Sequence, residues 1–238
     1  MSYLNTKPLI YGFEEGMMND EIELLTDFPA SISDMLIKDE VDISLVPVAI
    51  IPKLGEYHII TDYCIGAHGA VASVCLFSDT PLTEIRTILL DYQSRSSVAL
   101  LKIILRDHWK ISPELIDAGP DYEDKIGGDI AGLVIGDRAF IQRKKRKYIY
   151  DLGNAWNELA GLPFVFAAWI ANKKLPPEFI ERFNHAVAEG FKHLPAIIAA
   201  NPYPHYDLEE YYTKNISFDL DADKRKGLEE FLKRLPKG

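Results

Sequence analysis

Short apolar runs that stop at a glycine, a proline or a polar turn alternate along this chain with longer stretches of helical periodicity. That alternation constrains the fold more than any other feature. It predicts an α/β protein with largely parallel strands, since a crossover helix carries one strand to the next in the same sheet. Residues 30–38 hold Ile32, Met35 and Leu36 at helical spacing, and 41–46 read as a strand stopped by Pro47. Further strands are predicted at 71–77, 87–91, 130–135, 148–152 and 164–171. Residues 96–109 read as a helix with Val98, Leu101 and Leu105 on one face. After Pro176 and Pro177 the chain turns helical, with an apolar stripe of Phe179, Ile180, Phe183, Val187 and Phe191. Residues 222–235 form the last helix, with Leu228, Phe231, Leu232 and Leu235 inward.

A chain of 238 residues can hold one large domain or two small lobes with a core each. No repeat, low-complexity tract or Gly/Ser linker divides it. Two lobes are still expected if strands themselves make the crossovers, near 74–80 and 163–172. The expected division is 1–76 with 172–238 as the first lobe and 77–171 as the second, with a ligand cleft between them. In such a cleft, strand ends, loops and helix N-termini converge.

The formal net charge of -10 argues against nucleic acid, which requires clustered Lys and Arg. Attraction of an anionic ligand must then be local. The basic run from Arg143 to Lys147 reads as a solvated loop. Cys64 and Cys75 match no zinc or CxxC spacing, and the six histidines form no HxH or HExxH, so no metal site is signalled. Neither a signal peptide nor a membrane-length apolar stretch is visible, so a cytoplasmic protein without a membrane partner is expected. No GxGxxG, P-loop or GxSxG occurs. Oligomeric state is left open.

Four polar clusters sit where strands end or helices begin. Asn5 and Thr6 precede Pro8 and read either as a helix start or as a turn presenting N–H groups to a carboxylate. Ser94, Arg95, Ser96 and Ser97 follow a strand and read as a carboxylate-binding turn or as a plain helix cap with a solvated Arg. Gly136 and Asp137 end a buried strand, the Gly permitting close approach and the Asp opening a helix. Ser73 is expected within a strand that crosses between lobes, as a site residue or as a buried structural serine.

The opening SYLNTKPL closely resembles the signature of the chorismate dehydratase family of the futalosine route to menaquinone. GAVASVCLFSDTPL, DYQSRSSVALLKIIL, GLVIGDRAF and YDLGNAWNELAGLPFVFAAW resemble that family's further blocks in the same order. The likeness extends to the final YYTKNISFDLDADKRKGLEEFL. The resemblance implies a two-lobed, type II periplasmic-binding-protein-like fold and no cofactor. It also implies a hydro-lyase that dehydrates chorismate to 3-(1-carboxyvinyloxy)benzoate. Asn5 and Ser73 are then the expected catalytic residues. Thr6, Ser94, Arg95, Ser96, Ser97, Gly136 and Asp137 are expected to bind the substrate. Members of that family carry a short apolar strand before SYLN, whereas Met1 directly precedes Ser2 here, so a few more residues are expected upstream. Two other functions are compatible with the fold. One is the 1,4-dihydroxy-6-naphthoate-forming enzyme of the same pathway, whose opening signature is less similar. The other is a solute-binding protein for a small carboxylate, which would require export.

Overall fold

A computed structural model describes residues 3–236. Met1 and Ser2, where an upstream strand would join, lie outside the described residues.

The elements run in chain order as α1 (Lys7–Glu14), α2 (Pro29–Ile37), β1 (Ile43–Pro47), β2 (His58–Ala67), β3 (Val74–Ser78), β4 (Thr87–Leu90), α3 (Arg95–Ile104), β5 (Glu114–Asp117) and β6 (Ile130–Ile135). They continue as α4 (Asp137–Arg143), β7 (Tyr148–Asp151), α5 (Leu152–Ala160), β8 (Phe164–Ala171), α6 (Pro177–Lys192), α7 (Leu194–Ala200), the single turn α8 (Leu208–Glu210), β9 (Ser217–Asp219) and α9 (Ala222–Arg234). Two sheets result, ordered β1-β8-β2-β9 and β5-β4-β6-β3-β7. Each nucleates one lobe of a periplasmic-binding-protein-like architecture.

Strand direction corrects the expectation of largely parallel strands. In the first sheet β8 runs antiparallel to both β1 and β2, and β2 is antiparallel to β9. In the second, β4 pairs in parallel with β5 and β6, while β3 is antiparallel to β6 and β7. The physical reason lies in the crossovers. A strand that returns from the other lobe enters its sheet from the opposite end, so no crossover helix sets its direction. The chain changes sheet between β2 and β3 and between β7 and β8. Val74–Ser78 pairs within the second sheet, and Phe164–Ala171 pairs within the first.

The second sheet is covered on both faces, which explains its continuous apolar strands. Val74 and Leu76 of β3 face the main core, whereas Cys75 and Phe77 face a smaller cluster with Leu89, Tyr122, Ile126 and Val134. In the first lobe α1 lies against α6 at very short range. A Cβ on Gly12 would come within 2.2 Å of the Ala186 carbonyl oxygen, and one on Gly190 within 1.8 Å of the Pro8 oxygen. Only glycine permits that approach, and it fixes the helix whose N-terminus carries Asn5. Beside β1 a groove of about 530 Å³ is lined by residues 21–27, with Phe13, Trp169 and Phe183 among its other walls.

The basic run is less solvated than expected. Arg146 is mostly buried, donating to Asp79, to the Ile126 carbonyl (2.6 Å) and to the Glu123 carbonyl (2.9 Å). Arg143 reaches the Ala72 carbonyl at 3.3 Å.

Candidate functional site

The N-terminal segment enters as one 3₁₀ turn, Leu4–Thr6, and continues into α1 with Pro8 in its first turn. The cap positions are Tyr3 and Thr6, and neither side chain caps the helix. Thr6 instead folds its Oγ1 back to donate to the Tyr3 carbonyl at 2.7 Å. Asn5 therefore caps nothing, and its Oδ1 is buried without a partner. An orphaned polar atom of this kind carries a desolvation cost that calls for an explanation.

Ser73 precedes β3 rather than lying in it, which corrects the expectation of a strand residue. Ala72 is in the left-handed region at φ +64°, so the chain turns just before the strand. Asp151 holds this turn, accepting from the Val71 N–H at 3.0 Å and the Ala72 N–H at 2.8 Å. The same carboxylate caps α5 through the N–H groups of Gly153 and Asn154. Ser73 is 1% exposed. Its carbonyl accepts from the Gly136 N–H at 2.8 Å, which joins it to the turn after β6.

Gly136 has φ +62° and ψ -148°, a region that only glycine visits readily. A Cβ there would meet the Tyr3 ring at 2.4 Å. Gly136, not Asp137, is the cap of α4. Asp137 instead turns its carboxylate to the N-terminal segment, accepting from the Leu4 N–H at 3.2 Å. Burial pushes the Asp137 carboxyl up to about 6, against the Leu4 hydrogen bond and the charge of Arg138.

Three phenols from the C-terminal segment pin these strands of chain. Tyr203 donates to the Asp137 carbonyl (2.6 Å), Tyr211 to Ser73 Oγ (2.7 Å) and Tyr212 to the Leu4 carbonyl (2.7 Å). Burial raises the pKa of each, to about 12 for Tyr203 and further for the other two, so all three stay protonated donors near neutrality. Sequence reasoning missed them. The signal was there in the crowding of Tyr203, Tyr206, Tyr211 and Tyr212 into ten residues of a chain with 12 tyrosines.

The Ser94 turn adjoins this cluster through Tyr3, whose hydroxyl donates to Gln93 Oε1. Behind the turn Asp91 is buried, accepting from the Gln93 N–H (2.8 Å), Tyr122 Oη (2.9 Å) and Arg138 Nη2 (2.7 Å). Burial raises the Asp91 pKa against the pull of Arg138. Arg138 also donates to Glu123 at 2.6 Å. With two carboxylates on one guanidinium, Arg138 organises the turn. Arg95 is likewise engaged, bonding Asp34 of α2 at 2.5 Å. Ser94 caps α3 by accepting from the Ser97 N–H at 3.2 Å, and its hydroxyl donates to Ser97 Oγ at 2.8 Å. Ser96 Oγ accepts from the Ala49 N–H at 3.1 Å.

The structure therefore joins Asn5, Ser73, Gly136 and Asp137 through Leu4, Tyr211 and Tyr3. Thr6 and the Ser94–Ser97 turn connect to them through Tyr3.

The family model described as menaquinone biosynthesis matches residues 1–237. The chain belongs to this menaquinone biosynthesis family. Among its relatives is a protein of Thermus thermophilus named chorismate dehydratase. That protein is 28% identical over 262 aligned residues, covering 98% of this chain and 92% of its own. Solved structures agree on the fold. A protein of Archaeoglobus fulgidus superposes with a TM-score of 0.75 at 15% identity, over 98% of this chain and 93% of that one. The alkanesulfonate-binding protein of Xanthomonas axonopodis pv. citri gives 0.63 at 11% identity, over 98% and 92%. The periplasmic aliphatic sulphonate binding protein of Escherichia coli gives 0.59 at 13% identity, over 98% and 89%. This menaquinone biosynthesis protein thus carries the two-lobed frame of solute-binding proteins.

Proposed function

We propose that this protein is a chorismate dehydratase, eliminating water from chorismate to give 3-(1-carboxyvinyloxy)benzoate. The family match over residues 1–237 carries the reading, and the clustering of Asn5, Ser73 and Asp137 from distant parts of the chain supports it. The reaction removes the ring hydroxyl and a vicinal ring proton, and aromatisation drives it. The protein must hold a dianion, exclude water and place a donor beside the departing oxygen. Asn5 supplies an amide and Ser73 a hydroxyl for that donor role. The hydroxyls and N–H groups at the start of α3 suit a carboxylate, since Arg95 and Arg138 already bind acidic partners. Asp137 or a carboxylate of the substrate itself accepts the ring proton. The lobe division follows the change of sheet, with crossings at 68–73 and 152–163. A cytoplasmic location fits a biosynthetic role, and among the described residues no helix is long and apolar enough to cross a membrane.

Purified protein mixed with chorismate tests the reading. Catalytic loss of the cyclohexadiene absorbance with appearance of an aromatic product supports it. Stoichiometric binding without product would favour a solute-binding role instead.

Asp137 sets a pH dependence of stability. Its folded value of about 6 lies above the roughly 3.9 of an unfolded Asp. Between those values the folded protein binds more protons than the unfolded chain. This group therefore lowers stability as pH rises through that window. Asp137→Asn is expected to flatten the decline of unfolding temperature between about pH 4 and pH 6. Thermal melts across that range check it, and parallel curves for the two proteins would contradict it.

A further inference from the structure

We propose that Tyr211 is a positioning residue for the reaction, orienting the Ser73 hydroxyl by donating its own hydrogen to Ser73 Oγ. This rests on the chorismate dehydratase reading and concerns the same site. A serine hydroxyl has one hydrogen and two lone pairs, and it rotates to suit its surroundings. With Tyr211 occupying one lone pair at 2.7 Å, the Ser73 hydrogen is turned away from Tyr211. It is then available to a ligand. Asn5 Oδ1, buried and unpartnered, lies in the same cluster. Burial raises the pKa of the Tyr211 phenol and keeps it protonated, and the Asn5 side chain reaches the same hydroxyl.

Packing fixes where the phenol points. Tyr211 is fully buried, with its ring edge-on to Phe140 at 4.9 Å and beside Tyr212 at 5.6 Å. Phe140 in turn stacks on Tyr206 at 4.4 Å. Tyr211 also opens a one-turn π-helical segment, Tyr211–Asn215. Such segments are rare and recur at functional sites, because the wider turn redirects the side chains it carries. Here Tyr211 and Tyr212 are both sent inward, one to Ser73 and the other to Leu4. The Tyr211 ring is thus held by aromatic neighbours, while its hydroxyl has a task that packing does not require.

Tyr211→Phe keeps the ring and removes the hydroxyl. The expected result is a roughly tenfold to hundredfold fall in kcat for chorismate with KM changed by less than about twofold, short of the 10²–10³ typical of a direct donor. The deciding measurement is the cycle with Ser73→Ala. If Tyr211 acts through Ser73, Tyr211→Phe costs nothing further in the Ser73→Ala background. A full multiplicative loss there would overturn the proposal, as would a Tyr211→Phe enzyme with normal kcat. Should Tyr211→Phe fail to fold, 3-fluorotyrosine at position 211 preserves shape and strengthens the donor. It is expected to change kcat when Ser73 is present and to leave it unchanged in Ser73→Ala, and equal effects in both backgrounds would overturn the proposal. Absence of turnover by the wild type overturns the chorismate reading and this inference together. Normal turnover by Tyr211→Phe overturns this inference alone.

Discussion

Asn5→Ala is expected to lower chorismate turnover roughly 10²–10³-fold, the usual cost of removing one preorganised donor. Its unfolding temperature is expected to stay at or slightly above that of the wild type. A helix-capping asparagine would behave otherwise, losing about 1 kcal/mol of stability on truncation. Here the cap reading fails, since Asn5 lies inside the 3₁₀ turn and the cap residues are Tyr3 and Thr6. Its buried Oδ1 has no partner, so truncation removes an unsatisfied acceptor. A loss of activity without loss of stability is the signature of a side chain kept for chemistry at the expense of the fold. Asn5→Asp is a poorer probe, because it would place a carboxylate oxygen where the buried amide oxygen now sits. Turnover and thermal unfolding of Asn5→Ala check the expectation together. Near-normal turnover would move the donor role to Ser73 or to the Ser94–Ser97 turn.

Gly190→Ala is expected to be the most damaging single-methyl change in the first lobe. Alanine improves helix propensity by roughly 1 kcal/mol, yet its Cβ would lie 1.8 Å from the Pro8 carbonyl oxygen. α1 and α6 must then move apart, and overpacking of this kind costs about 3 kcal/mol. For a chain of this size that lowers the unfolding temperature by roughly 6–12 °C. Turnover should fall too, because α1 carries Asn5 at its N-terminus and Pro8 lies one turn away. Differential scanning of the variant measures the effect. An unchanged unfolding temperature would mean that the two helices are not locked together as described.

Three of the strands that sequence reasoning found are buried on both faces. β3, β6 and β8 read as unbroken apolar runs because core lies on either side of them. β2 was missed for the opposite reason. Thr61 and Asp62 interrupt its apolar pattern, and the pairing with β8 is irregular between Ile59 and Cys64. Strand direction was illegible because hydrophobic periodicity carries no sign. Gly136 and Asp137 were legible as a strand end opening a helix, since a glycine before an acidic residue is a local signal. The partners of the site were not. Tyr211 and Ser73 are separated by 138 positions, and Tyr212 and Leu4 by 208. No local pattern announces such contacts. Arg95 shows the converse error. Arg95 looks available for an anion in the sequence, but Asp34 engages it; Arg138, which sequence reasoning did not single out, is held by Asp91 and Glu123.

The central claim is that Asn5, Ser73 and Asp137 form the site at which chorismate is dehydrated. Mass analysis of chorismate incubated with a small catalytic amount of protein tests it most directly, with Asn5→Ala run alongside. The wild type is predicted to convert many equivalents to a product lighter by one water, while folded Asn5→Ala converts far less. Chorismate recovered unchanged from the wild type, or equal conversion by both proteins, would contradict the account.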